Sequence, residues 1–138
     1  MRKIKANNNF SPCQIDDDDE IYRNGMFHFN ITKMLEYIHD NGALFQVEEI
    51  RIRDYVNQGS HITESHIDSV DVSKPVILAE IAPSRYNIID GNHRMEKARR
   101  LGVDKISAYR VTVEHHTRFL TDKKAYLSYI EYWNGKLK

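Results

Sequence analysis

Asp90, Gly91, Asn92, His93 and Arg94 follow one another without interruption, so that an acid, an amide, an imidazole and a guanidinium crowd a single turn. The chemistry they suit is that of phosphate. Ile88 and Ile89 read as the end of an apolar strand, and Met95, Ala98 and Leu101 read as the buried stripe of a following helix. The first turn of such a helix leaves backbone N–H groups without partners, and its dipole favours negative charge there. Gly91 lets the backbone come close to a bound group, and Arg94 adds a fork of donors that matches phosphate oxygens. Asp90 ends the strand, where it is placed to hold a metal such as Mg or to accept a proton during phosphoryl transfer. His93 has three roles open to it near neutral pH: phosphate contact, proton relay, or a structural place at the helix start. The structural alternative for the other two residues has Asp90 capping the turn and Arg94 closing a salt bridge back to it.

The elements that must hold this turn can be read outward from it. Val76 to Ile81 is a β-rich apolar run, Pro83-Ser84-Arg85 makes a turn, and Tyr86 to Ile89 returns as the second strand of a hairpin. The helix after Gly91 stops at Gly102, and Ile106 to Val113 reads as a third core strand with Ile106, Ala108, Val111 and Val113 inward. Before them, Phe45, Val47, Ile50 and Ile52 read as a strand. Arg53 to Asn57 then leads into a polar loop ending near His61, placed to cover a site. Thr63 opens an imperfect capping box, with His66 where an acid would stand, and Ile67 and Val70 share one face of a short helix.

Both ends of the chain are decorated. Residues 1–20 form an acidic arm expected to stay solvated and flexible, its Asp16–Glu20 run lacking the ligand spacing of a calcium loop. Residues 21–46 predict a hairpin around Asn24-Gly25 and a helix with Ile31, Met34, Leu35 and Ile38 on one face, capped by Asn30 or Thr32 and ended by Gly42. Residues 47–113 form the core, and residues 114–138 carry an aromatic helix from Asp122 to Asn134 with Tyr126, Leu127, Ile130 and Trp133 at helical spacing and Gly135 as terminator. The fold class is α+β, a small mixed sheet flanked by helices.

Composition narrows the partners. In 138 residues, 20 basic and 20 acidic side chains cancel, so no overall field draws the chain to nucleic acid or membrane, and any polyanion contact must be local. Arg94, Lys97, Arg99, Arg100 and Lys105 make one local basic cluster, which a solvated helix face largely explains. A single cysteine, Cys13, rules out an intrachain disulfide, and no run is apolar enough for a membrane span; a cytoplasmic location is expected. No His-x-x-x-His spacing points to structural zinc.

The order Lys74-Pro75-Val76-Ile77-Leu78-Ala79, then Tyr86-Asn87-Ile88-Ile89-Asp90-Gly91-Asn92-His93-Arg94, then Leu101-Gly102 and Ile106-Ser107-Ala108, resembles the ParB/sulfiredoxin superfamily over about residues 47–113. In that superfamily a Gly-x-x-Arg turn holds the phosphates of CTP in ParB proteins, and of ATP in sulfiredoxin and the ParB-like free serine kinases. Gly91 and Arg94 match it. Asp90, Gly91, His93 and Arg94 are most similar to the Asp-Gly-His-His-Arg version of the serine-kinase-like and ParB-like nuclease branches, with Asn92 replacing the first histidine.

The resemblance implies a nucleotide (ATP, ADP or CTP) and Mg as cofactors, phosphates held by Gly91, Asn92, His93 and Arg94, and Mg held by Asp90. Asp90 and His93 are then the catalytic candidates. Asp54, with Glu49 as its rival, lies where the serine-kinase-like relatives carry an acid, which makes it a candidate general base. Sulfiredoxin chemistry is excluded, because Asn92 stands where that motif has its reactive cysteine and an amide cannot do thiol chemistry. Only about 25 residues follow Val113, so the helix-turn-helix reader of a full partitioning ParB is not expected.

Three readings follow. One is hydrolysis of the nucleotide or phosphoryl transfer to a small-molecule acceptor. The second is a ParB-like DNA-associated module, either a nuclease or a nucleotide-switched regulatory protein that binds DNA or a DNA-associated partner. The third is a noncatalytic assembly domain, a homodimer through Tyr126, Tyr129, Tyr132 and Trp133. His61 and His66 are expected to face the site from the preceding loop.

Overall fold

Seven consecutive residues, Val76–Ala82, are buried, which an apolar run achieves only in a strand covered on both faces. In the computed structural model, which describes residues 3–25, 27–55 and 62–137, that strand lies inside a four-stranded mixed sheet. In chain order the elements are β1 (Ile21–Asn24), β2 (Phe27–Asn30), α1 (Ile31–Asp40), β3 (Glu48–Arg51), α2 (Glu64–Ile67), β4 (Val76–Ala82), β5 (Arg85–Asp90), α3 (Asn92–Arg100), β6 (Lys105–Val111), α4 (Val113–His116) and α5 (Lys123–Lys136). The strand order is β3-β6-β4-β5. Strand β4 pairs antiparallel with β5 and parallel with β6, while β6 pairs antiparallel with β3. The architecture is α+β, as expected.

Alternation along β4 divides the core in two. Ile77, Ala79 and Ile81 face the larger cluster, with α1, α5 and the β1–β2 hairpin, whereas Val76 and Leu78 face the smaller one, with Met95 and Ala98 of α3.

 Burial on both faces explains why the run has no polar interruption except Glu80, whose carboxylate is satisfied inside the fold by the backbone N–H groups of Ser84 and Val113.

Helix α1 starts where Asn30 accepts a hydrogen bond from the Lys33 N–H, and α5 starts where Asp122 accepts one from the Lys124 N–H. The carboxyl end of α3 closes with Gly102 at φ +74°, the Val103 N–H reaching Ala98 and the Gly102 N–H reaching Arg99. Trp133 and Tyr129 of α5 are fully buried against the sheet.

Several expectations are corrected. Val47 is half exposed and β3 is limited to Glu48–Arg51, Ile52 opening a 3₁₀ turn instead of extending the strand. Val113 begins α4, so His115 and His116 are helical neighbours. Gly135 lies within α5, which runs on to Lys136. Leu127 and Leu101 are exposed; Tyr129 takes the inward place because its hydroxyl finds the Glu80 and Ile81 carbonyls at 2.8 and 3.1 Å. Tyr126, Tyr129 and Trp133 are buried inside the chain, so of the four aromatics expected at a homodimer surface only Tyr132 is half-exposed.

The amino-terminal segment differs most from a solvated arm. Ile4 exchanges two hydrogen bonds with the Asn134 side chain, Phe10 stacks on Tyr126 at 3.9 Å, and the Cys13 N–H donates to Leu120. Its acidic run is pinned too: buried Asn30 donates to Asp19 at 2.8 Å, and Lys33 meets Asp16 and Asp19. The Asn30 hydrogen bond holds the Asp19 carboxyl below its ordinary range. The segment therefore delivers Glu20 and β1 to a fixed place.

Candidate functional site

Strand β5 ends at Asp90, and Gly91 turns the chain into α3 with φ +100° and ψ 20°. A side chain at this position would meet Val76: an added Cβ would lie 2.5 Å from its Cγ1. The turn thus needs glycine both for its backbone angle and for its approach to β4. No side chain caps α3, in contrast with α1 and α5, and its first intrahelical bond runs from the Met95 N–H to the Gly91 carbonyl at 2.9 Å. The amino end of this nine-residue helix opens into a cavity of about 600 Å³. That size lies within the range of small-ligand sites.

The structure brings Asp90, Gly91, Asn92, His93 and Arg94 together on one wall of the cavity. Arg94 turns back along the sheet: Nη2 donates to Asp90 Oδ2 at 2.9 Å, and Nη1 donates to the Pro75 carbonyl at 2.6 Å and the Lys74 carbonyl at 3.2 Å. The salt-bridge alternative is therefore realised. It also orients the guanidinium, since its donors are fixed by two carbonyls that do not move with the helix. Among the described residues the Asn92 side chain makes only a long contact, Nδ2 to the Ile88 carbonyl at 3.5 Å.

His93 does structural work as well as lining the cavity. Its Nε2 accepts the Thr63 N–H at 3.0 Å, so a neutral ring carries its proton on Nδ1. This bond ties α3 to the segment that starts α2. His66 lies beside it with ring centroids 5.5 Å apart. His61 and the loop expected to cover the site lie outside the described residues. Asp54 ends the 3₁₀ turn after β3, at the opposite edge of the sheet from β5, and does not line the cavity.

The facing wall comes from β1, expected as part of a hairpin, and from Glu20, the last residue of the arm expected to stay solvated. Glu20, Ile21, Tyr22, Arg23 and Asn24 line it. Glu20 lines the cavity together with Asp90, and burial, followed by the charge of Asp90, pushes its own carboxyl above the ordinary range. Arg23 adds a second cation to the lining. No local spacing could have revealed these two, because 70 residues separate Glu20 from Asp90 and only the packing of β1 joins them.

The site offers the cation Mg two carboxylates, and among the described residues no group of three or more His, Cys, Asp or Glu side chains could hold a metal alone. That donor set fits a Mg ion that keeps waters and arrives with a phosphate ligand, not a cage built wholly of protein.

A family model described as ParB N-terminal domain matches residues 46–124, which span the sheet, the Gly91 turn and α3. No curated protein matches the chain. Among the described residues no helix is long and apolar enough to cross a membrane.

Proposed function

The chain belongs to the ParB N-terminal domain family, and from that premise we propose that the cavity between β1 and the Asp90–Arg94 turn binds ATP, ADP or CTP by its phosphates, together with Mg. The single observation that carries this reading is the uncapped amino end of α3 opening, beside the Arg94 guanidinium, into a cavity of about 600 Å³. The backbone N–H groups of the first helical turn and a fixed guanidinium supply complementary charge to phosphate oxygens without reorganisation.

The roles follow from position. Gly91 admits the phosphate to the backbone, Asn92 and His93 line its path, and Arg94 and Arg23 neutralise its charge. Asp90 and Glu20 hold the Mg that accompanies the nucleotide, and Asp90 stands ready to accept a proton from an attacking hydroxyl or water. Mg, when bound, withdraws charge from the phosphate oxygens and so favours their transfer. The reaction is hydrolysis or transfer of the phosphoryl group to a small molecule, the chemistry of the serine-kinase-like branch. Asp54 has no part in it.

A thermal-shift comparison of ATP, ADP, CTP and GTP, each with and without Mg, tests the reading. A bound nucleotide at a hundred times its dissociation constant adds about 2.7 kcal/mol to stability. Failure of every nucleotide to shift the melting temperature would contradict it.

A further inference from the structure

Asn30 is fully buried at the end of β2, directly opposite Ile21 of β1, and its carboxamide bonds to three different stretches of chain. Oδ1 accepts the Lys33 N–H at 3.0 Å and so caps α1, while Nδ2 donates to the Gln14 carbonyl at 3.1 Å and to Asp19 Oδ2 at 2.8 Å. The helix needs only the acceptor. Both donors serve the amino-terminal segment, and they are what makes burial of a whole amide tolerable here.

Glu20 follows directly after this fastening and is gripped through its backbone by the start of α1. Its N–H donates to Thr32 Oγ1 at 2.8 Å, and its carbonyl accepts the Ile31 N–H at 2.9 Å. Glu20 then lines the cavity with Asp90, whereas Asn30 is not among the lining residues. Asn30 therefore acts on the site only through what it holds. Both Asn30 and Glu20 precede residues 46–124, the span that matches the family model.

We infer that Asn30 is a positioning residue for the Glu20–Asp90 pair, and that it couples docking of residues 3–20 to binding of Mg with the nucleotide. The inference rests on the reading of Glu20 and Asp90 as the residues that hold Mg. A cation that uses both carboxylates binds the docked segment more tightly than the released one. By linkage it then favours docking to the same degree. Asn30→Asp separates the two duties of the amide. It caps α1 equally well, but it has no N–H for the Gln14 carbonyl and sets a second carboxylate against Asp19.

Cys13, the single cysteine of the chain, is half-buried beside Gln14 against the larger core, so its rate of labelling by an aromatic disulfide reagent reports release of the segment. In the wild-type chain, Mg with the nucleotide that gives the largest thermal shift slows labelling by about tenfold, within the range of coupling between two sites, and the same nucleotide in EDTA does not. Glu20→Gln loses this protection. Asn30→Asp speeds labelling of the free chain by at least about tenfold, as loss of two buried hydrogen bonds requires, and raises the Mg needed for half-maximal binding by a similar factor. Its nucleotide affinity in EDTA stays at the wild-type value, whereas a merely structural role lowers affinity with and without Mg alike. Thr32→Val removes the acceptor of the Glu20 N–H but spares the cap; it shifts both quantities in the same direction and serves if Asn30→Asp does not fold. A wild-type thermal shift without Mg-dependent protection of Cys13 overturns this inference alone, as does an unchanged Mg requirement in the folded variants. Absence of any nucleotide shift overturns the nucleotide reading and this inference with it.

Discussion

Arg94 Nη2 lies 2.9 Å from Asp90 Oδ2, one helical turn apart, with the two side chains only 15% and 12% exposed. The pair closes the turn that Gly91 opens, and the same guanidinium reaches back to the carbonyls of Pro75 and Lys74. One side chain thus ties the segment leading into β4, the end of β5 and the start of α3 together at the place where a phosphate would sit.

Replacing Arg94 by alanine removes all three hydrogen bonds and leaves Asp90 without its cation. A loss of about 2–4 kcal/mol is expected, read from the urea midpoint. Arg94→Lys keeps the charge but loses the fork, and recovers less than half of that loss. A change below about 0.5 kcal/mol in Arg94→Ala, the range of ordinary surface substitutions, would show that the bridge contributes nothing to the fold.

Gly91→Ala combines an unfavourable φ of +100° with a Cβ 2.5 Å from Val76 Cγ1. Left-handed strain and overpacking each cost about 1–3 kcal/mol, so a fall of at least about 2 kcal/mol is expected. Val76→Ala, added to Gly91→Ala, relieves the contact but not the backbone strain, and the two changes are therefore less than additive in thermal melts. Strict additivity would count against the contact.

His116 is fully buried, its Nε2 donating to the Glu80 carbonyl at 2.6 Å while Nδ1 has no partner among the described residues. Burial drives its pKa down to about 4. The imidazole is neutral in both folded and unfolded chains above about pH 6.5; between there and pH 4 the unfolded chain takes up the proton that the folded chain refuses. Stability therefore falls as the pH falls through this window, by about 3 kcal/mol at most, and His116→Phe flattens that slope in urea titrations. Glu20 works in the opposite sense, since its raised pKa favours the folded state at low pH and the gain is lost as the pH rises through its folded value.

The amino-terminal segment should resist proteolysis until the whole chain unfolds. Phe10→Ala removes the stack on Tyr126, and Asn134→Ala removes both bonds to Ile4. Each variant is expected to release the segment for cleavage before residue 14 while leaving the core melting transition in place. Equal, rapid cleavage of the wild-type segment would return it to the status of a solvated arm.

What the sequence disclosed was local. The strand, the glycine and the helix of residues 88–100 are contiguous, so their periods and their turn chemistry could be read directly, as could the caps at Asn30 and Asp122. The apolar run of β4 also declared itself. Glu20 and Arg23 did not, because their place depends on the hairpin packing across the sheet. The arm was misread because its polar composition hides partners far along the chain, Asn134 and Tyr126 among them. Tyr129 was passed over for Leu127 because hydrophobicity ranks leucine first, whereas burial here rewards a hydroxyl that reaches two carbonyls.

The most direct measurement is a calorimetric titration of the Mg–nucleotide that gives the largest thermal shift into the wild-type chain and into Arg94→Ala, Asp90→Asn and Glu20→Gln. One site per chain is expected, with affinity lost at least about a hundredfold in Arg94→Ala, as removal of a charge-assisted fork worth about 3 kcal/mol requires. Asp90→Asn and Glu20→Gln should keep binding but lose its dependence on Mg. Wild-type affinity in Arg94→Ala would contradict the account, because the phosphates would then lie somewhere other than the turn at Gly91.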